Sequence, residues 1–242
     1  MAYLEYLLWG YFILNPIYIY LTYEQEKQSV VAQPAKLVAM YRSWMLYLWL
    51  PVLVLMVLLN QTEISLSDIG LQWHWELANL LCVAALLVLC GYFLFSLNKL
   101  RKNTNDHQEL RKQIAYIQWM MPSTPKEARY FILGLSISAG ICEEILFRGY
   151  LMLVLGDYFP TYAVVIISSL IFGLPHIYQG AIHILRTAIV GATMALIYLF
   201  TDSIIIPIIL HAVFDMYGGA MAYIVFSNEP QQIANENTCN DP

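Results

Sequence analysis

Charge is what this sequence has least of. Twelve Lys and Arg with seventeen Asp and Glu make 12% charged residues in 242, while 60% are hydrophobic; an ordinary soluble domain carries roughly 25% charge. That scarcity excludes a soluble globular chain and points to a membrane protein. Cysteine is also sparse: Cys82, Cys90, Cys142 and Cys239 show no CxxC or other metal spacing, and three of them lie in apolar stretches, where Cys packs as a small hydrophobe. No HExxH zinc motif is present, nor an internal repeat or a separate soluble domain. The first apolar stretch, MAYLEYLLWGYFILNPIYIYL, lacks a basic start and a small-residue cleavage site, so it is expected to be a retained span and not a signal peptide. Its Tyr and Trp suit a membrane interface.

What is present is a series of apolar stretches near the roughly 20 residues needed to span a bilayer, at about 1–22, 37–59, 77–97, 129–154, 162–178, 182–200 and 203–227. The expected fold is all-α, a polytopic transmembrane bundle of about seven helices. Lys and Arg gather around the first, third and fifth loops, and the second, fourth and sixth carry none. By the positive-inside rule the odd loops are cytoplasmic, which puts the N-terminus outside and the tail SNEPQQIANENTCNDP inside. The net charge of −5 sits in loops and tail and gives no reason to expect a nucleic-acid partner. The basic loop NKLRKNTNDHQELRKQ is read as a topology signal that contacts lipid headgroups.

A charge near the bilayer centre costs about 2.5 to 3.5 kcal/mol on insertion scales, so ionisable groups there are functional candidates. Eight stand out, all in the second half: Glu143, Glu144, Arg148, His176, His183, Arg186, His211 and Asp215. Glu144 and Arg148, four residues apart, share a helix face where a carboxylate can hold a guanidinium. Glu143 lies about 100° around the helix and is left for other work. Phe172 and His176 share a face beside Pro175, where the helix is expected to kink or end. His211 and Asp215 share another, with Pro207 one turn earlier expected to loosen the helix and free a carbonyl. His183 and Arg186 sit at the start of the sixth span, where snorkelling is cheap, and are left outside the site. Counting 1.5 Å per residue, Glu143 lies on the order of 20 Å from one face and His211 on the order of 12 Å from the other. These two can meet in one layer, with His176 nearer the cytoplasmic side.

Glutamate with histidine can deprotonate water, and a second polar pair can receive the oxyanion formed when that water attacks a carbonyl. Peptide-bond hydrolysis fits the set. The three clusters in order, EExxxR at Glu143, Glu144 and Arg148, FxxxH at Phe172 and His176, and HxxxD at His211 and Asp215, resemble the CPBP family (CAAX protease and bacteriocin-processing, also called Abi). These are intramembrane proteases that include the type II CAAX prenyl endopeptidases. The match covers roughly residues 129–227. On that basis 1–128 is read as N-terminal transmembrane helices with the basic cytoplasmic loop, 129–227 as the CPBP-like catalytic core and 228–242 as a polar tail.

The resemblance implies that Glu143 and His176 activate the water, that Glu144 and Arg148 brace the site, and that His211 with Asp215 forms the oxyanion site. It also implies a peptide or protein substrate, prenylated in the CAAX case, and a prokaryotic plasma membrane as location. Position 215 departs from the prenyl endopeptidases, which have Asn there. Asn donates at any pH, whereas Asp donates only when protonated; Asp215 is therefore neutral, or orients His211, or ligates a metal. Glu143, His176, His211 and Asp215 would suit zinc by donor type, and the family has been described as metalloproteases; a metal-free, Glu/His-activated water is the favoured expectation. Two further readings stand beside it. One is a rhomboid-like serine protease using Ser136 of GLSI with His211, which leaves Glu143, Glu144 and Arg148 without a role. The other is a non-catalytic scaffold or bacteriocin-immunity protein that binds a peptide in the same polar cavity.

Overall fold

In the computed structural model of the chain, residues 2–227 are described; Met1 and the expected polar tail 228–242, with Cys239, lie outside the described residues. Eight helices carry the fold: α1 Ala2–Ala32, α2 Leu37–Gln61, α3 Leu77–Lys102, α4 His107–Ile114, α5 Pro125–Gly156, α6 Thr161–Gln179, α7 Ala181–Thr201 and α8 Ile205–Phe226. No strand occurs among the described residues. The fold is an all-α polytopic bundle, and the chain is an integral, multi-pass membrane protein.

Six of these helices, α2, α3 and α5 to α8, are long and apolar enough to cross a bilayer. The α1 helix is long enough, about 46 Å for its 31 residues at 1.5 Å per residue, but Glu5, Asn15, Pro16 and its tyrosines make it less apolar than the other six. It still runs the length of the bundle. Phe12 packs edge-on against Phe147 in the middle of α5, 5.3 Å between ring centroids, and Tyr23 packs against Trp119 and Tyr178 at 5.7 and 4.9 Å.

The centre of the bundle is α5, whose most apolar window is 61% buried by the protein itself against 6% for α3. That contrast separates a helix packed on all sides from one that faces lipid. Its start is sharply defined: Pro125 occupies the first turn, the Thr124 hydroxyl accepts from the Glu127 amide, and Glu127 Oε2 accepts from the Thr124 and Ser123 amides, a reciprocal cap. Two π-helical stretches, Tyr130–Leu135 and Ile145–Leu151, interrupt α5 on either side of Glu143 and Glu144. Such widenings shift the helix face that follows and occur often at functional sites.

The α6 helix tightens into a 3-10 turn over Leu174–Gln179 with Pro175 at its start. The expected disruption at Pro175 therefore takes the form of a helix end. At Pro207 the expectation fails. Pro207 is the third residue of α8, where a missing N–H costs nothing because first-turn amides have no intrahelical acceptor. The carbonyl it leaves open, that of Ser203, accepts from Thr201 Oγ1 at 3.1 Å and does not face water. The basic loop is also more than a topology signal: Arg111 reaches the end of α8 and donates twice to the Val225 carbonyl, at 3.0 and 2.8 Å, closing an unpaired terminal acceptor.

Two apolar clusters make the core. One is built around Phe12, Leu55, Leu58, Leu146, Phe147 and Phe172, the other around Tyr41, Trp119, Met120, Phe131, Leu135 and Val225. A cavity drawing its walls from both lies along α5.

Candidate active site

Glu144 is fully buried in α5, and its Oε1 accepts from Arg148 Nη1 at 2.9 Å and from His211 Nδ1 at 2.7 Å. Arg148, also buried, donates Nη2 to the Gly191 carbonyl of α7 at 2.9 Å and lies 4.2 Å over the Phe172 ring. A buried charge is stabilised by pairing and hydrogen bonds, which the guanidinium and imidazole supply at Glu144 Oε1, while Oε2 is buried without a partner. Two glycines permit the approach. A Cβ on Gly140 would lie 2.8 Å from the Ala212 amide nitrogen and 2.9 Å from the Ile208 carbonyl, so α8 meets α5 closely just before Glu143. A Cβ on Gly191 would lie 3.3 Å from Arg148 Nη2 and 3.0 Å from the Phe172 ring.

This contact fixes the chemistry of His211. An ionised carboxylate is acceptor-only, so Nδ1 carries the proton toward Glu144 and Nε2 is left toward Glu143 and Asp215. There it stands 3.9 Å from Glu143 Oε2 and 3.7 Å from Asp215 Oδ2. Both gaps exceed hydrogen-bond length and are of the size that a bridging oxygen fills.

Glu143, one residue from the best-held charge in the molecule, makes no direct hydrogen bond; 24% of its side chain is exposed, with 41% of Asp215. Both line a cavity of about 320 Å³, as does His176 from the end of α6. His176 Nδ1 is buried with no hydrogen-bond partner, and its ring lies 6.5 Å from Phe172 and 6.4 Å from Tyr178. Phe172 touches nearly every part of the site: its ring meets Phe147 at 5.2 Å and His211 at 5.8 Å, besides Arg148.

Of the six expected residues, Glu143, His176 and Asp215 line the cavity, while Glu144, Arg148 and His211 form the network beside it, and two pairings differ from those the sequence suggested. His211 donates its hydrogen bond to Glu144 across the helix interface, and its approach to Asp215 on its own helix is a loose one. Glu143 and His176 share the cavity without an ion pair or hydrogen bond between them, Glu143 having His211 as its nearest basic group. His183 lies apart, with Nδ1 3.3 Å from the Tyr116 hydroxyl. Ser136 is buried and donates to the Phe131 carbonyl of its own helix at 3.0 Å, so it forms no pair with His211.

Among the described residues no group of three or more His, Cys, Asp or Glu side chains is placed to hold a metal ion. No step below passes through a metal.

The other half of the cavity wall was missed from sequence. It comes from α1 and α2, with Tyr11, Asn15, Tyr47, Trp44 and Glu26 among its residues. Asn15 accepts from the Tyr47 hydroxyl at 3.0 Å. A polar Asn inside an apolar stretch was the available signal, overshadowed by an interfacial explanation for the tyrosines.

Residues 125–217 match the family model described as type II CAAX prenyl endopeptidase Rce1-like. No curated protein and no solved structure matches the chain. The matched stretch runs from the capped start of α5 to just beyond Asp215 and contains all three clusters. Over that stretch, 93 of the 242 residues, the chain is similar to type II CAAX prenyl endopeptidases.

Proposed function

We propose that the chain is an intramembrane endopeptidase that hydrolyses a peptide bond near the C-terminus of a membrane-associated or lipidated protein. The observation that carries this reading is the division of labour between neighbours: Glu144 is tied through Oε1 to Arg148 and His211, while Glu143 faces the cavity with no direct hydrogen bond. A water held by Glu143 near His176 loses a proton to Glu143 as its oxygen attacks the substrate carbonyl carbon. The carbonyl oxygen becomes an oxyanion beside His211 and Asp215. To donate from Nε2 while Nδ1 serves Glu144, His211 must be the imidazolium, and Asp215 donates only as the neutral acid. The proton on Glu143 then passes to the leaving amide nitrogen, the C–N bond breaks, and a carboxylic acid and an amine leave the cavity. The reaction in this proposal needs no metal.

The attacked carbonyl must first leave its helical hydrogen bond, which favours terminal or unwound segments as substrates. The test is hydrolysis by the purified protein in nanodiscs, with a quenched peptide library that includes farnesylated CAAX peptides. Cleavage by wild type that is lost in Glu143→Gln and survives chelators supports the proposal. Equal cleavage by Glu143→Gln, or loss on chelation restored by zinc, would remove it. An Asp215→Asn variant tests the departure at this position: retained cleavage, with a weaker pH dependence, is the expected result.

A further inference from the structure

The cavity does not end at Glu143. It continues between α1 and α2 toward the basic loop, and there its walls become aromatic: Tyr18, Tyr23, Tyr47, Trp44 and Trp119, with Glu26 among them. Among the described residues no Lys or Arg lines the cavity, whereas three carboxylates do, those of Glu26, Glu143 and Asp215. Glu26 is half-buried, and Trp44 Nε1 donates to its Oε2 at 3.3 Å. The cation next to it in sequence pairs with Glu24 and not with Glu26: Lys27 Nζ lies 4.0 Å from Glu24 Oε1 and 5.6 Å over the Tyr23 ring, while Lys27 itself does not line the cavity. Tyr23 and Trp44 each pack edge-on to Trp119, at 5.7 and 6.5 Å, forming one side of an aromatic box. Aromatic faces beside a carboxylate with no counter-ion are the arrangement that attracts a cation, and they oppose an occupant bearing a carboxylate at this end.

We propose that the Glu26 end of the cavity is a subsite for a basic side chain, Lys or Arg, of the substrate peptide; this rests on reading the cavity as the substrate's binding site. A peptide is preferred to a lipid choline headgroup of the same charge because the subsite is continuous with the space at Glu143, which a headgroup would have no need to reach. The distance sets the register. Tyr11 lines the cavity with Glu143, and its neighbour Phe12 packs on Phe147 one turn further along α5; from Tyr11 to Glu26 along α1 is about 22 Å at 1.5 Å per residue. An extended peptide covers that in about six or seven residues at ~3.3 Å each. The basic residue therefore stands about six or seven positions from the bond that is cut.

The experiment uses the full chain carrying Glu143→Gln in nanodiscs and reads the anisotropy of labelled apolar peptides, one with a Lys and its twin with norleucine. The Lys peptide is expected to bind about tenfold tighter, equivalent to about 1.4 kcal/mol. Glu26→Gln should abolish the preference while leaving the norleucine twin's affinity unchanged, and Glu26→Asp should keep part of it. In the cleavage-competent chain, a Lys moved along the peptide should give fastest cleavage about six or seven residues away. Equal binding of the twins, no binding of either, or a Lys preference that survives Glu26→Gln overturns the proposal. So does a preference that appears only in nanodiscs free of phosphatidylcholine, which would assign the subsite to a headgroup. The hydrolytic reading fails separately: a Lys preference without cleavage removes the protease and leaves the subsite, and cleavage without the preference does the reverse.

Discussion

Glu143 and Glu144 are adjacent in sequence and differ in almost every physical respect. Glu144 is closed to solvent, its Oε1 shared by a guanidinium and an imidazole from two other directions. Glu143, about 100° further around α5, opens on the cavity with a histidine at 3.9 Å. One carboxylate is tied through Oε1 to two basic groups; the other opens on the cavity. The same division runs through His211, whose Nδ1 belongs to the first environment and whose Nε2 belongs to the second. In a low-dielectric bundle an unpaired buried charge is costly, so the braced trio is what allows an unbraced acid to persist beside it.

The strongest way to break this contrast is to neutralise each acid's partner system in turn. Glu143→Gln should lower hydrolysis by about 10² to 10⁴-fold, the usual contribution of a positioned general base, and leave thermal unfolding in detergent nearly unchanged. Arg148→Met should act the other way round, costing stability first: removing one member of a buried ion pair costs about 3 to 5 kcal/mol. Adding Glu144→Gln to Arg148→Met should restore part of that loss, because the second change removes the stranded charge. Were Glu143→Gln to unfold the protein or Arg148→Met to leave it as stable as wild type, the two environments would not differ as described.

Much of this arrangement was legible in the sequence, and what was not has a common cause. Helical spacing found the Glu144–Arg148 pair and left Glu143 unpartnered, because both statements concern one helix. Spacing could not find Glu144 as the partner of His211: it pairs a residue only with others on its own helix, and so offered Asp215. The real pairing depends on how closely α8 approaches α5, which turns on the missing Cβ of Gly140. The π-helical stretches were invisible for a similar reason, since they change a face without changing the composition. Helix positions were readable to within a few residues in most spans, but α1 runs ten residues further than its apolar stretch. The aromatic wall it contributes with α2 needed the packing of Phe12, Tyr23 and Trp119 to be known.

A smaller effect sharpens the role of that close approach. Gly140→Ala would place a Cβ 2.8 Å from the Ala212 nitrogen and 2.9 Å from the Ile208 carbonyl, and backbone cannot swing aside as a side-chain tip does. The helices must part, at a cost of about 1 to 3 kcal/mol for overpacking. His211 would then move away from Glu144, and a displacement of about 1 Å can cost up to about 10²-fold in rate. The expected signature is a fall in kcat larger than the change in KM, with the protein still folded. An unchanged rate would mean that the distance between α5 and α8 does not set the position of His211.

The smallest expected effect separates this site from a serine-based one. Ser136 lies on α5 seven residues before Glu143 and lines the same cavity, but its hydroxyl is buried and donates to the Phe131 carbonyl within the first π-helical stretch. In that position the hydroxyl serves the backbone, as a second donor to a carbonyl that already accepts from the Ser136 amide. Ser136→Ala should therefore cost about 0.5 to 1.5 kcal/mol of stability, one side-chain hydrogen bond, with hydrolysis close to that of wild type. A serine-directed phosphonate should leave the protein unlabelled for the same reason, because His211 already gives Nδ1 to Glu144 and turns Nε2 toward Glu143 and Asp215. Loss of cleavage in Ser136→Ala together with labelling of Ser136 would transfer the chemistry from Glu143 to the hydroxyl, and the contrast between the two glutamates would then be one of packing alone.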